Sequence, residues 1–185
     1  MDTLRRRFLQ SGGLGLLAFS LGGLELLLTP QEARAKAVPF RVLKPAEVAT
    51  LEALGEILLP GARKAGIAHF VDHQLAAEAA DCLLLIRYLD VPPPYLDVYR
   101  PALAALEAVS QAAYKRAFSA LAENDAIKLV RTMSETNPEG WQGPPAPLFF
   151  FAARSDAVDV VYGTEEGFDR LGIPYMAHIR PTAKW

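Results

Sequence analysis

Apolar residues recur at intervals of three and four along most of this chain, and that spacing predicts helices. Leu51, Leu54, Ile57 and Leu58 make one such stripe. Lys44-Pro45-Ala46-Glu47 opens it, because proline's missing N–H costs nothing in a first turn and Glu47 suits the positive end of the helix dipole. Pro60-Gly61 closes it. A second helix is expected from Gly66 to Ala80. Ile67, Phe70, Val71, Leu75 and Ala79 trace its buried face, and His69, Asp72, His73 and Glu78 lie mostly on the other side. Val91-Pro92-Pro93-Pro94 favours an extended connector. Leu103, Leu106, Val109, Ala113 and Ala117 then keep the helical period within a stretch from Tyr95 to Leu121, with Pro101 at the start of its regular part. Asn124 or Asp125 caps a further helix filled by Ile127, Leu129, Val130 and Met133. Residues 139–147 read as a loop, Leu148 to Tyr162 as one more helix, and the remainder as irregular. No segment shows sustained period-two alternation between hairpin turns. The expected fold class is all-α: a compact bundle of about five to six helices with an irregular, aromatic-rich C-terminal tail.

The front of the chain reads differently. Arg5-Arg6-Arg7-Phe8-Leu9 precedes an apolar stretch, Gly12 to Leu28, interrupted by charge only at Glu25. Two small-x-small sites follow, Ala33-Arg34-Ala35 and Ala35-Lys36-Ala37. Basic, apolar and cleavage regions stand in the order of an export signal. Arg5, Arg6, Phe8 and Leu9 match the twin-arginine pattern R-R-x-F-L, although Leu4 stands where a Ser or Thr is usual. The glycine-rich, moderately apolar stretch suits that route, which carries folded proteins. Residues 1–37 are therefore expected to be a signal segment, cut after Ala35 or Ala37, and residues 38–185 a single helical domain in the periplasm. The competing reading is an uncleaved anchor holding the chain to the inner membrane. A spanning helix needs about 20 apolar residues, and a charge such as Glu25 near mid-membrane costs about 3 kcal/mol.

Composition narrows the function. Lys plus Arg is 19 and Asp plus Glu is 21, giving a net charge of -2 over 185 residues. That balance excludes a basic nucleic-acid surface and an acidic solvating tail. The lone cysteine, Cys82, excludes an internal disulfide, a CxxC pair and a CxxCH haem attachment. It is a small buried apolar residue, or else an intermolecular disulfide partner or a reactive thiol. His69 and His73, four apart with Asp72 between them, could present a metal site on one helical face. A third ligand would have to come from His178 or a distant carboxylate, so a polar face or a partner contact is the plainer reading. Asp156, Asp159, Glu165, Glu166 and Asp169 lack EF-hand spacing and read as a solvated or interface face. No dinucleotide fingerprint, nucleophile elbow or phosphate loop is present, and no catalytic, cofactor-binding or metal residue is assigned.

Eight aromatic residues lie between Trp141 and Trp185 among many glycines and prolines. Such a tail is hard to bury alone, and aromatic residues are enriched in interface cores. Trp141, Asp156, Asp159, Tyr162, Gly163, Phe168, Gly172, Pro174, Tyr175, His178 and Trp185 form the expected partner interface.

Gly140-Trp141, the run Ser155 to Phe168, and Leu171-Gly172-Ile173-Pro174-Tyr175 together resemble the gluconate 2-dehydrogenase subunit 3 family. Leu51 to Pro60 and Gly66 to Asp72 add to that likeness. The resemblance implies a non-catalytic small subunit without flavin or haem. Its partner would be an FAD-dependent flavoprotein of the glucose–methanol–choline type that oxidises a sugar or sugar acid, often with a multihaem cytochrome c as third subunit. The small subunit would help the flavoprotein mature and pass the twin-arginine translocase.

Overall fold

The computed structural model describes residues 16–173. Two strands and eight α-helices run through them: β1 (Leu17–Leu21), β2 (Leu24–Leu28), α1 (Pro30–Ala35), α2 (Pro45–Leu58), α3 (Ala62–Ala65), α4 (Ile67–Leu75), α5 (Leu96–Tyr114), α6 (Glu123–Glu135), α7 (Ala146–Tyr162) and α8 (Glu165–Arg170). Short 3-10 turns at Leu85–Tyr88 and Phe118–Ala120 link the longer helices. The all-α class holds, since β1 and β2 make only one small hairpin.

That hairpin departs from the expected pattern. The second half of the apolar leader pairs with itself, antiparallel, from Leu17 opposite Leu28 to Leu21 opposite Leu24. Gly22 and Gly23 turn the chain with φ of 59° and 82°. Two successive positive φ angles define the tight hairpin turn whose twist suits paired strands, and glycine adopts them without strain. Next, Thr29 and Glu32 cap α1 reciprocally: the Thr29 N–H donates to Glu32 Oε2 at 2.8 Å, and the Glu32 N–H donates to Thr29 Oγ1 at 3.1 Å.

Helix α2 lies at the centre and packs against α3, α4, α5, α6 and α7. Its start follows the sequence: Pro45 stands in the first turn, and the Lys44 N–H donates to Glu47 Oε2 at 2.7 Å. Glu47 also holds Arg100 of α5 at 2.7 Å, and Arg100 donates on to the Val42 carbonyl. Leu51 and Leu54 are fully buried, together with Ile67, Val71, Leu84, Ile86, Leu106 and Met133.

Several boundaries move from their expected places. Helix α4 stops at Leu75 rather than Ala80, because Gln74 Oε1 accepts the Leu83 N–H at 2.8 Å and draws the following loop back. Helix α5 begins at Leu96, with Pro101 inside it rather than at its start. Helix α6 is capped at Ala122, one residue before its acidic first turn, not at Asn124 or Asp125. The stretch after Tyr162 contains α8 and is not wholly irregular.

Candidate partner interface and its supports

Two glycines let α8 fold back on α7. Gly163 ends α7, and a Cβ there would collide with the Asp159 carbonyl. Thr164 caps α8, accepting the Gly167 N–H at 3.1 Å. A Cβ at Gly167 would strike Tyr162 and the Val161 carbonyl. Bulk is thus excluded at both ends of the turn. The resulting corner borders a cavity of about 500 Å³ lined by Glu32, Lys64, Phe70, Asp159, Thr164 and Arg170. Asp159 stands exposed at its rim, where loss of solvent to the surrounding protein raises its carboxyl above the usual range.

Asp156 is not on this surface. It is fully buried, and its Oδ2 accepts the Tyr99 hydroxyl at 2.6 Å. Desolvation pushes its carboxyl up to about 8; the Tyr99 bond opposes the rise and nearby Asp159 adds to it. Its Oδ1 has no hydrogen-bond partner among the described residues. Tyr99, also fully buried, meets the Phe149 ring edge-on at 5.6 Å, and burial drives its phenol well above the ordinary value. The expectation of a solvated acidic face is therefore corrected at Asp156: this position on α7 points inward between Ala153 and Ala157, both fully buried. Trp141 is likewise mostly interior, 8% exposed, with its indole N–H donating to the Pro144 carbonyl at 2.7 Å. Cys82 is buried too, and desolvation raises its thiol, which leaves it little thiolate character.

The histidine face also differs from expectation. Seven of the nine residues of α4 are buried, His69 and Asp72 among them, so this helix has no broad polar side. Asp72 serves the backbone: it accepts N–H bonds from Arg41, Val42 and Leu43 at 2.8, 2.9 and 2.8 Å. His69 Nε2 lies 3.1 Å from the Val38 carbonyl and His73 Nε2 lies 3.2 Å from the Ala18 carbonyl. Burial lowers both imidazoles below their ordinary value. The two rings are engaged by separate backbone oxygens, and among the described residues no group of three His, Cys, Asp or Glu side chains is placed to hold a metal ion.

Apolar surface does exist elsewhere. Phe151 and Val158 are 42% and 43% exposed on the outer side of α7. The Arg154 guanidinium lies 5.7 Å from the centres of both the Phe150 and Phe151 rings. Tyr88, 66% exposed, carries Arg87 in the same manner at 5.5 Å. Of the residues expected at an interface, Tyr162 is half-buried beside the corner, Gly163 and Gly172 are exposed, and Phe168 is half-buried in α8. Helical spacing alone does not single out Phe151 and Val158. The signal was present: three consecutive phenylalanines on a helix are each turned by about 100°, so they cannot share one side. Phe149 takes the core and Phe151 the surface. Arg5, Arg6, Phe8, Leu9, Pro174, Tyr175, His178 and Trp185 lie outside the described residues. Of the cleavage alanines, Ala33 is fully buried while Ala35 and Ala37 are exposed.

Fold and surface together define a mostly helical protein, with a hydrogen-bonded polar pair inside and an arginine beside aromatic rings outside. Residues 45–177 match the family described as gluconate 2-dehydrogenase subunit 3, and the chain belongs to it. It is thereby of the kind that takes part in a multisubunit dehydrogenase. No curated protein and no solved structure matches the chain. Among the described residues, no helix is long and apolar enough to cross a membrane.

Proposed function

We propose that this chain is a non-catalytic small subunit that escorts an FAD-dependent sugar or sugar-acid dehydrogenase through twin-arginine export and stabilises it in the periplasm. The observation that carries this reading is the family match across residues 45–177. Three further observations support it. Arg5, Arg6, Phe8 and Leu9 stand where a twin-arginine signal needs them. The Asp156–Tyr99 bond and the Asp72 carboxylate are both spent on holding the fold together. The outer side of α7 offers rings and a cation, the residue types that anchor protein interfaces. The flavin belongs to the large subunit and haem c to a third one. A flavoprotein folds around its cofactor before export, so an escort with a folded-protein signal can carry it across.

The test is to replace Arg5 and Arg6 with lysines and follow flavin-containing dehydrogenase activity by fraction. The expected result is flavoprotein retained in the cytoplasm. Normal periplasmic activity in that strain would refute the shared signal, and failure of the two chains to co-purify would refute the complex.

A further inference from the structure

A second apolar cluster joins three residues of the leader to the first residue of the domain. Phe19, Leu28, Ala33 and Val38 are all buried, apart from the main core. Phe19 is 5% exposed and meets the His73 ring edge-on at 5.3 Å and the His69 ring at 6.3 Å. Phe40 covers His69 from another side at 4.4 Å. The Nδ1 atoms of both rings are buried without a hydrogen-bond partner among the described residues. A carbonyl oxygen only accepts, so Nε2 carries the hydrogen in each ring: His73 donates to Ala18 within the leader, and His69 donates to Val38, the residue just after it. The helical domain grips residues 17–38 near both ends.

Between those grips, α1 is seated in a place shaped for it. Pro30 and Ala33 are buried. Gly66, with φ of 87°, lies so close that a Cβ would collide with the Pro30 carbonyl. Arg34 Nε reaches Glu52 Oε1 of α2 at 3.2 Å. The Ala33-Arg34-Ala35 step is therefore helical, with its first residue enclosed. The Ala35-Lys36-Ala37 step straddles the helix end.

We infer that residues 17–38 are a clasp held shut by His69 and His73, and that cleavage after Ala35 or Ala37 waits on its release. The cleavage half rests on the reading of residues 1–37 as an export signal; the clasp itself does not. A peptidase acts on extended chain, and cutting within a folded segment follows the fraction of molecules in which that segment is open. The domain therefore governs when its own leader is presented.

Hydrogen–deuterium exchange on the full chain tests the clasp directly. In wild type, peptides within 17–38 are expected to be protected by at least about tenfold over free peptide. His73→Ala lies outside the leader and leaves its sequence intact; Phe19→Ala removes the ring from the other side. Both variants are expected to lose that protection while α2, α5 and α7 keep theirs. Unprotected exchange of 17–38 in wild type would overturn the clasp. So would loss of protection throughout the chain in both variants, because the segment would then be inseparable from the core. The second arm compares precursor and shortened chain in exporting cells. His73→Ala is expected to raise the shortened fraction several-fold. Lost protection with an unchanged fraction would overturn the gating of cleavage. A chain never shortened in either strain would overturn both that gating and the reading of a cleaved leader, with the exchange result standing on its own.

Discussion

The Tyr99 hydroxyl donates to Asp156 at 2.6 Å inside the core, and this bond joins α5 to α7 where neither side chain meets solvent. Tyr99→Phe removes the donor and leaves a buried carboxyl oxygen without its partner. The expected cost is about 1–3 kcal/mol, read as a lower urea midpoint with an unchanged slope.

The same pair sets a pH dependence opposite to that of most carboxylates. Asp156 titrates at about 8 in the folded protein, against 3.8 for an unperturbed aspartate. The folded state holds this proton more tightly than the unfolded chain does. Its stabilising contribution is thus complete below about 4 and is lost progressively as pH rises to about 8. Urea unfolding at pH 5, 7 and 9 is expected to show falling stability, after correction for other groups. Asp156→Asn, which carries no ionisable carboxyl, is expected to flatten that slope. An equal slope in the variant would contradict the assignment.

Asp72 accepts three consecutive backbone N–H groups, and that of Leu43 is buried. Asp72→Ala orphans all three. A loss of about 3 kcal/mol or more is expected, larger than for a surface carboxylate. Asp72→Asn retains acceptor capacity on one oxygen and should recover part of it. Thermal unfolding of the three proteins checks the order.

Gly167→Ala forces α8 away from the end of α7, because Tyr162 and the Val161 carbonyl occupy the space a methyl needs. A cost of about 1–3 kcal/mol is expected, with loss of exchange protection confined to residues 163–173. Gly61→Ala provides a control, since a Cβ there meets nothing and only backbone strain is added.

Phe151 and Phe149 separate surface from core on one helix. Phe151→Ser combined with Val158→Ser should change stability by about 0.5 kcal/mol or less per site while lowering recovery of the partner in co-purification. Phe149→Ala, fully buried, should cost about 3–5 kcal/mol. Full partner recovery with the double variant would remove the outer side of α7 from the interface.

Much of the helical scaffold was legible in the sequence. The stripe from Leu51 to Leu58 and the opening Pro45 locate α2, the helix that packs against α3, α4, α5, α6 and α7. Helix α4 defeats the pattern because periodicity assumes a wet side, and nearly every residue of α4 is covered. His69 and Asp72 look polar by type yet are inward by position. The hairpin leaves no pattern in the sequence, because Gly22-Gly23 suits a weak leader as well as a tight turn, and strand residues as uniformly apolar as Leu26, Leu27 and Leu28 show no alternation. The burial of Asp156 is not legible, because spacing groups carboxylates without saying which one finds a buried hydroxyl. The corner at Gly163 and Gly167 was visible as a motif, but its reason, the close approach of two backbones, appears only in three dimensions.

Arg154 has a consequence for association. A long cationic side chain usually surrenders much rotational freedom when another molecule presses on it. Here the guanidinium already lies 5.7 Å from the centres of two neighbouring rings. Those ring contacts restrict the side chain before any encounter, so less ordering remains when a visiting surface arrives, and more of the contact energy is left to lengthen the complex's lifetime.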